Sequence, residues 1–257
     1  MARAADGTRL AWRSEGTGSP LLLIAGQATA LTGWEPVVPA LAKTFRVIRF
    51  DHRGVGSSDE GTTEQLGTRA FAADAMAVLD SAGVQRAHVY GHSMGGRVAQ
   101  WLAIDYPDRV GALILAATSA GGFLGQDRDP DATQALTSGS PARLEPLFFD
   151  PAWASAHHEA VHTFFTSRAS RQAKRQQFRA SKEHDTRHDL GSVRAPTLIL
   201  HGTADVLTPI SNAQVLRDLI PHSMLVKVDG GRHGFHLDHP ETVDWIQRFI
   251  ARKGPQI

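Results

Sequence analysis

The stretch Gly91-His92-Ser93-Met94-Gly95 decides the fold, because it lies where an apolar run meets a helical pattern. The run His88-Val89-Tyr90 is typical of a buried strand, and the spacing that follows predicts a helix over residues 94–104. A G-x-S-x-G sequence between strand and helix forms a tight turn, the nucleophile elbow, which exposes the serine hydroxyl. Glycines on either side let strand and helix crowd together without Cβ clashes. Ser93 is therefore the candidate nucleophile.

Strand and helix patterns alternate on both sides of this turn. Apolar runs predict strands over residues 21–24, 45–50, 88–90, 112–115, 197–200 and 224–228, and helices are expected over 69–79, 94–104, 211–219 and 241–252. Between residues 121 and 191 no comparable run occurs, which indicates several short helices. The pattern predicts an α/β fold with a mostly parallel sheet. We expect residues 1–120 and 191–257 to form its core and residues 121–190, here named the cap segment, to form an inserted helical lid.

A serine nucleophile needs a general base, and the base needs an orienting carboxylate. Asp205 follows the predicted strand 197–200, and His233 lies in the loop after the last predicted strand. Both should therefore lie at the carboxyl edge of the sheet with Ser93, in the chain order serine, acid, histidine. We predict Ser93, His233 and Asp205 as a catalytic triad.

Neighbouring residues compete for both partner roles. His236 and His239 are alternative bases, but the loop position favours His233. Asp229 and Asp238 are alternative acids, yet they are too close in sequence to His233 to approach it easily from the opposite side. We interpret both as solvated loop carboxylates.

A tetrahedral intermediate needs preorganised donors for its oxyanion. We expect the backbone N–H groups of Met94, at the start of the elbow helix, and of Gln27, after the first core strand, to supply them. The alternative interpretation is that Gly26, before Gln27, is only a turn residue after the strand. The substrate pocket is expected to include Gly26, His92, Phe123, Trp153 and Leu207.

Composition excludes several other classes of protein. The chain is 42% hydrophobic and 21% charged, as in an ordinary globular protein, and 27 basic against 26 acidic residues argue against nucleic acid or an anionic membrane as partner. Without cysteine there is no thiolate nucleophile. The N-terminus lacks a secretory pattern and no apolar run reaches ~18 residues, so a cytoplasmic location without a membrane span is expected. The sequence leaves open whether the chain forms a homo-oligomer.

Two other patterns carry chemistry of their own. His158-Glu159-Ala160-Val161-His162 is a literal H-E-x-x-H, which on a helix can bind zinc, but it falls in the cap segment rather than at a sheet edge. We therefore expect no metal. Basic residues 168–182 include a helical face that is either solvated or directed at an acidic substrate, and His184 and His188 are interpreted as surface residues. Because no glycine motif continues as a dinucleotide or phosphate loop, no cofactor is expected.

Together with Asp51-His52-Arg53-Gly54-Val55-Gly56-Ser57-Ser58 and Asp238-His239-Pro240, the elbow resembles the α/β-hydrolase superfamily. The sequence from Gly91 to Leu102 is similar to a small bacterial group of enol-lactone hydrolases, carboxylesterases, carbon-carbon bond hydrolases and cofactor-free haloperoxidase-like esterases. That resemblance implies the α/β-hydrolase fold and the same triad of Ser93, Asp205 and His233. One position departs, because such proteins commonly carry His-Gly where Ala25-Gly26 stands here.

These observations lead to a functional hypothesis. The chain is expected to be a cofactor-independent serine hydrolase that cleaves a small carboxylic ester or lactone through an acyl-enzyme. A carbon-carbon bond hydrolase or a slow-turnover ligand receptor of the same fold remains an alternative. A zinc peptidase using the H-E-x-x-H pattern is a third.

Overall fold

A seven-stranded sheet forms the centre of the protein, whose computed structural model describes residues 1–61, 64–122 and 124–253. The strand order is β3-β5-β4-β6-β7-β8-β9; only β3 runs antiparallel to its neighbour. A two-stranded antiparallel ribbon of β1 and β2 precedes it. The strands are β1 (Ala2–Arg3), β2 (Arg9–Leu10), β3 (Trp12–Glu15), β4 (Ser19–Ile24), β5 (Phe45–Phe50), β6 (Ala87–His92), β7 (Val110–Ala116), β8 (Thr197–Gly202) and β9 (Ser223–Val228).

Helices cover both faces of this sheet. They are α1 (Val38–Leu41), α2 (Thr68–Ser81), α3 (Met94–Asp105), α4 (Pro130–Ser138), α5 (Pro141–Phe148), α6 (Pro151–Ala156), α7 (His158–Phe165), α8 (Arg171–Lys182), α9 (Ser211–Leu219), α10 (Phe235–Asp238) and α11 (Glu241–Lys253). Short 3-10 helices span Leu31–Trp34, Pro107–Arg109 and Leu190–Ser192.

The alternation of side chains along each strand divides the core into two layers. Leu22 and Ile24 of β4 pack in the layer that holds the buried residues of α2, α3 and α9. Leu21 and Leu23 face the opposite layer, which contains α1 and α11. Because parallel strands are covered on both faces, they are apolar almost throughout, and this is why the sequence made them recognisable.

The α/β fold with a mostly parallel sheet is confirmed. The bounds of the predicted strands and helices differ from those in the structure by a few residues. For example, the strand expected over 88–90 extends over Ala87–His92. The sequence pattern did not predict the strands β1, β2 and β3 or the helices α1 and α10. β3 is a partly exposed edge strand of sequence WRSE, so it has neither an apolar run nor a clear alternation.

Five helices, α4 to α8, lie between β7 and β8 in the cap segment. Three of them begin at a side-chain cap that satisfies free backbone N–H groups: Asp129 for α4, Asp150 for α6 and Ser170 for α8. Proline at the first helical position helps to start α4, α5 and α6. These local signals explain how short helices form where no long apolar pattern exists.

Across residues 1–61, 64–122 and 124–253, no helix is both long and apolar enough to cross a membrane.

Many of the histidine side chains of this protein are buried. Seven of its 13 histidines are buried: His52, His88, His92, His184, His201, His233 and His236. His184 was expected at the surface, and this prediction is wrong, because the ring lies between Thr68 Oγ1 at 2.8 Å and Gln100 Oε1 at 3.3 Å.

Burial makes protonation of six of these histidines unfavourable. It lowers the pKa of His52 and His88 to about 4 and that of His92 to about 3. The pKa values of His184, His201 and His236 are lowered for the same reason. In the unfolded chain all six would titrate near 6.5. Below that pH the unfolded chain therefore binds more protons than the folded protein.

We predict that the free energy of unfolding falls steeply as the pH decreases from about 6.5 towards about 4. Each such histidine contributes up to ~1.4 kcal/mol per pH unit in this window. Urea unfolding followed across this range measures the slope. Replacing buried His88 by glutamine should reduce the slope, whereas His188→Gln, at an exposed position, should leave it unchanged. A flat stability profile across the window would contradict this account.

Candidate active site

The turn between β6 and α3 holds Ser93 in a left-handed backbone conformation, with φ 56° and ψ −119°. Such a conformation is unfavourable for a residue with a Cβ and persists only where its surroundings hold it. The Ser93 N–H donates to the Ala116 carbonyl at 2.9 Å, and Thr118 Oγ1 donates to the Ser93 carbonyl at 2.8 Å. A Cβ on Gly95 would lie 2.0 Å from the Ile24 carbonyl oxygen, so only glycine fits there.

Ser93, His233 and Asp205 form one hydrogen-bonded chain. Ser93 Oγ lies 2.9 Å from His233 Nε2, and His233 Nδ1 lies 2.8 Å from Asp205 Oδ2. With the proton on Nδ1, His233 donates to the carboxylate and accepts from the serine hydroxyl. Ser93 and His233 are 140 residues apart in the sequence. Their hydrogen bond therefore forms only when β6 and the loop after β9 meet.

The Asp205 carboxylate is held from its other side by backbone donors. Its Oδ1 accepts from the N–H groups of Leu207 at 2.9 Å and Thr208 at 2.8 Å. Burial alone would raise the pKa of this carboxyl group, but the adjacent His233 and these hydrogen bonds outweigh burial and hold its pKa below the usual value. Asp205 is therefore a fixed negative charge beneath the imidazole.

His92 ties the histidine loop to the elbow. Its Nε2 lies 2.8 Å from the His233 carbonyl oxygen, to which the neutral ring donates. Its ring also packs against that of His236 with centroids 4.2 Å apart. Because burial keeps the pKa of His92 at about 3, this ring stays neutral and acts as a donor rather than as a charge.

The two expected oxyanion donors lie on the loops that leave β4 and β6. Neither the Gln27 nor the Met94 amide has an acceptor within the described ranges of the chain. Gly26 packs directly under the elbow, since a Cβ there would lie 3.4 Å from Ser93 Cβ. Ala28, at φ 57°, donates its N–H to Gln177 Oε1 at 2.7 Å, which fixes this loop from the cap segment.

A small cavity of about 40 Å³ lies over Ser93, and a wider one of about 420 Å³ continues from it. Of the residues expected in the substrate pocket, Gly26, His92 and Leu207 line the small cavity. Trp153 lies elsewhere, stacked on His157 with centroids 4.5 Å apart. Phe123 falls outside the described residues. Phe148 also lines the small cavity, and its ring packs edge-to-face on that of His233 with centroids 4.9 Å apart.

The competing candidates are placed differently. The alternative acid Asp238 was expected to be solvated, and this prediction is wrong: its side chain is 2% exposed and accepts from the Asp150 N–H at 2.8 Å. His158, Glu159 and His162 lie exposed on α7. Over residues 1–61, 64–122 and 124–253, no three histidine, aspartate or glutamate side chains are grouped so as to hold a metal ion.

Comparison with known proteins agrees with this architecture. A profile described as alpha/beta hydrolase fold matches residues 19–240. A protein of Caulobacter sp. (strain K31) named "Putative carbamate hydrolase RutD" is 32% identical over 236 residues, covering 86% of each chain.

Solved structures of similar proteins include a lactone-degrading enzyme and an esterase. Est816, an N-acyl homoserine lactone degrading enzyme, is 26% identical with a TM-score of 0.79, covering 96% of this chain and 99% of that one. A thermophilic esterase from Thermogutta terrifontis is 25% identical with a TM-score of 0.80, covering 99% and 97%. The sequence resemblance is thus confirmed, and the chain belongs to the α/β-hydrolase fold family.

Proposed function

We propose that the protein is a serine hydrolase of small carboxylic esters or lactones. The observation that carries this proposal is the His233 imidazole, which bridges Ser93 Oγ at 2.9 Å and the Asp205 carboxylate at 2.8 Å. A serine hydroxyl bonded to a neutral imidazole can lose its proton as it attacks a carbonyl carbon. The buried carboxylate then stabilises the imidazolium and fixes its orientation.

The reaction proceeds in two halves. In the first, His233 takes the Ser93 proton, the oxygen bonds to the substrate carbonyl carbon, and the backbone amides of Met94 and Gln27 stabilise the oxyanion. The intermediate expels the alcohol, which receives its proton from His233. In the second half, His233 deprotonates a water molecule that attacks the acyl-enzyme. The acyl–oxygen bond then breaks, the acid leaves, and His233 returns the proton to Ser93.

We also propose that the cap segment, residues 121–190, is the lid that determines substrate choice. Phe148 of α5 packs on His233, and the Gly234 N–H donates to the Phe148 carbonyl at 2.8 Å. Leu136 of α4 and Ser181 of α8 line the cavity over Ser93. The cap segment therefore supplies walls to the pocket, whereas the reacting groups come from the sheet edge.

Carbamate hydrolysis is a second candidate, because the similar Caulobacter protein is named for that activity. Attack of Ser93 on a carbamate carbonyl uses the same groups and differs in the leaving group and in the stability of the intermediate. Parallel assays with para-nitrophenyl esters, lactones and aryl carbamates would rank these substrates by kcat/KM.

Replacing Ser93 by alanine should lower kcat by roughly 10⁴ or more, because the attacking oxygen is lost. His233→Ala should have a similar effect and Asp205→Asn a somewhat smaller one. Steady-state kinetics on a para-nitrophenyl ester measures the change. A Ser93→Ala protein that retained a tenth of the activity would disprove the assignment.

Covalent labelling tests the nucleophile without a turnover assay. A fluorophosphonate should add one mass increment at Ser93, since only a serine activated by a base reacts readily with it. Preventing activation by His233→Ala should abolish labelling, while the exposed His188→Gln should not. A label on a different serine would transfer the proposed chemistry to another site.

Removal of metal separates the serine mechanism from the H-E-x-x-H alternative. A serine triad generates its nucleophile without a metal ion, so treatment with phenanthroline or EDTA should leave ester hydrolysis unchanged. His158→Ala and His162→Ala should have little effect for the same reason. Activity that is lost on chelation and restored by zinc would move catalysis to α7.

A further inference from the structure

Two arginines line both the cavity over Ser93 and the wider cavity beside it. Arg97 lies on α3, one helical turn beyond the elbow, and Arg128 lies two residues before the start of α4 in the cap segment. Neither forms an ion pair with a carboxylate of any residue that the structure describes. Buried Arg53, by contrast, is paired with Asp74 at 2.6 Å.

Neutral oxygens hold both guanidinium groups in place. Arg97 donates to the Ser181 carbonyl at 2.5 Å and to Ser119 Oγ at 3.1 Å, and its buried Nε has no partner among the described residues. Arg128 donates through Nε to the Leu207 carbonyl at 2.9 Å. A guanidinium has five N–H groups, so each arginine keeps donors for a ligand.

Both side chains remain cationic in this environment. Burial and their mutual repulsion lower the pKa of Arg97 to about 10, and burial lowers the pKa of Arg128 as well. Asp127 also lines the wider cavity without pairing with either of them, and Asp205 is already engaged by His233. Together with Lys182, the two arginines therefore give the cavity lining more positive than negative charge, and a partly buried charge without an ion-pair partner is costly.

We infer that the substrate carries a carboxylate, which Arg97 and Arg128 bind while the scissile carbonyl lies at Ser93. This inference rests on the proposed hydrolase function and specifies its substrate class. Arginine matches a carboxylate through two parallel hydrogen bonds, which gives orientation as well as affinity. The wider cavity of about 420 Å³ has room for the carboxylate, and Leu207 and Phe178 supply apolar walls for the linking chain.

Matched esters test the subsite. The mono-para-nitrophenyl ester of adipic acid carries a carboxylate on its acyl chain, and para-nitrophenyl hexanoate is the neutral ester of the same length. A second pair, 3-acetoxybenzoate and phenyl acetate, places the carboxylate on the leaving group instead. We expect at least one anionic ester to exceed its neutral partner in kcat/KM. If neither does so, the inference is wrong.

Charge removal should erase that preference. Arg128→Gln and Arg97→Gln are each expected to lower kcat/KM for the preferred anionic ester by roughly 10-fold or more, as is typical of a lost hydrogen bond to a charged group. The neutral ester should change by less than about threefold. Arg179→Gln is the control, because Arg179 is exposed and paired with Glu183 at 2.7 Å. An equal loss on both esters would assign the arginines to folding or to oxyanion stabilisation and overturn the inference.

A binding measurement keeps this test separate from the hydrolase proposal. Titration of the Ser93→Ala protein with adipate by calorimetry should show binding that weakens by roughly 10-fold or more when Arg128→Gln is added. Failure of ester turnover and of Ser93 labelling, with adipate binding intact, would reject the hydrolase function alone. Absence of adipate binding, or tighter binding of inorganic phosphate than of adipate, would reject the carboxylate subsite.

Discussion

The close approach of β6 and α3 at Ser93 is the constraint on which the rest of the site depends. A serine at φ 56° reverses the chain within one residue, so its hydroxyl leaves the sheet at the carboxyl edge. This sparsely populated backbone conformation costs roughly 1–3 kcal/mol, which hydrogen bonds to Ala116 and Thr118 offset. Gly91 of β6 makes this approach possible, because a Cβ there would lie 2.3 Å from the Gly95 carbonyl oxygen of α3.

Strand order explains why the pocket lies where it does. β5 pairs with one side of β4, and β6 pairs with the other side. The loops after β4 and β6 therefore diverge from neighbouring strands. A crevice opens at such a switch point, outside the carboxyl ends of the strands. Gln27 and Ser93 occupy its two sides, and His52 Nε2, 3.2 Å from the Ala25 carbonyl, supports the loop where related proteins commonly carry His-Gly.

Charge is distributed unevenly around this crevice. His92, His201 and His236 are neutral because burial depresses their pKa values, and Asp205 is bound to His233. In the lining of the wider cavity, the basic side chains of Arg97, Arg128 and Lys182 outnumber the carboxylate of Asp127. One arginine comes from α3 of the core and the other from the cap segment, so the proposed anion site needs both parts of the chain.

The sequence by itself determined the parallel α/β architecture, because buried strands are continuous apolar runs and the elbow has a local glycine pattern. It also singled out Ser93, Asp205 and His233, since each follows a strand and all parallel strands end at one edge. Only the tertiary structure shows the edge strand β3, the burial of His184 and Asp238, and the presence of Arg97 and Arg128 in one cavity lining. These features depend on contacts between segments that are distant in the sequence. The hydrophobic periodicity and the composition of a short segment do not indicate which distant side chains it will contact.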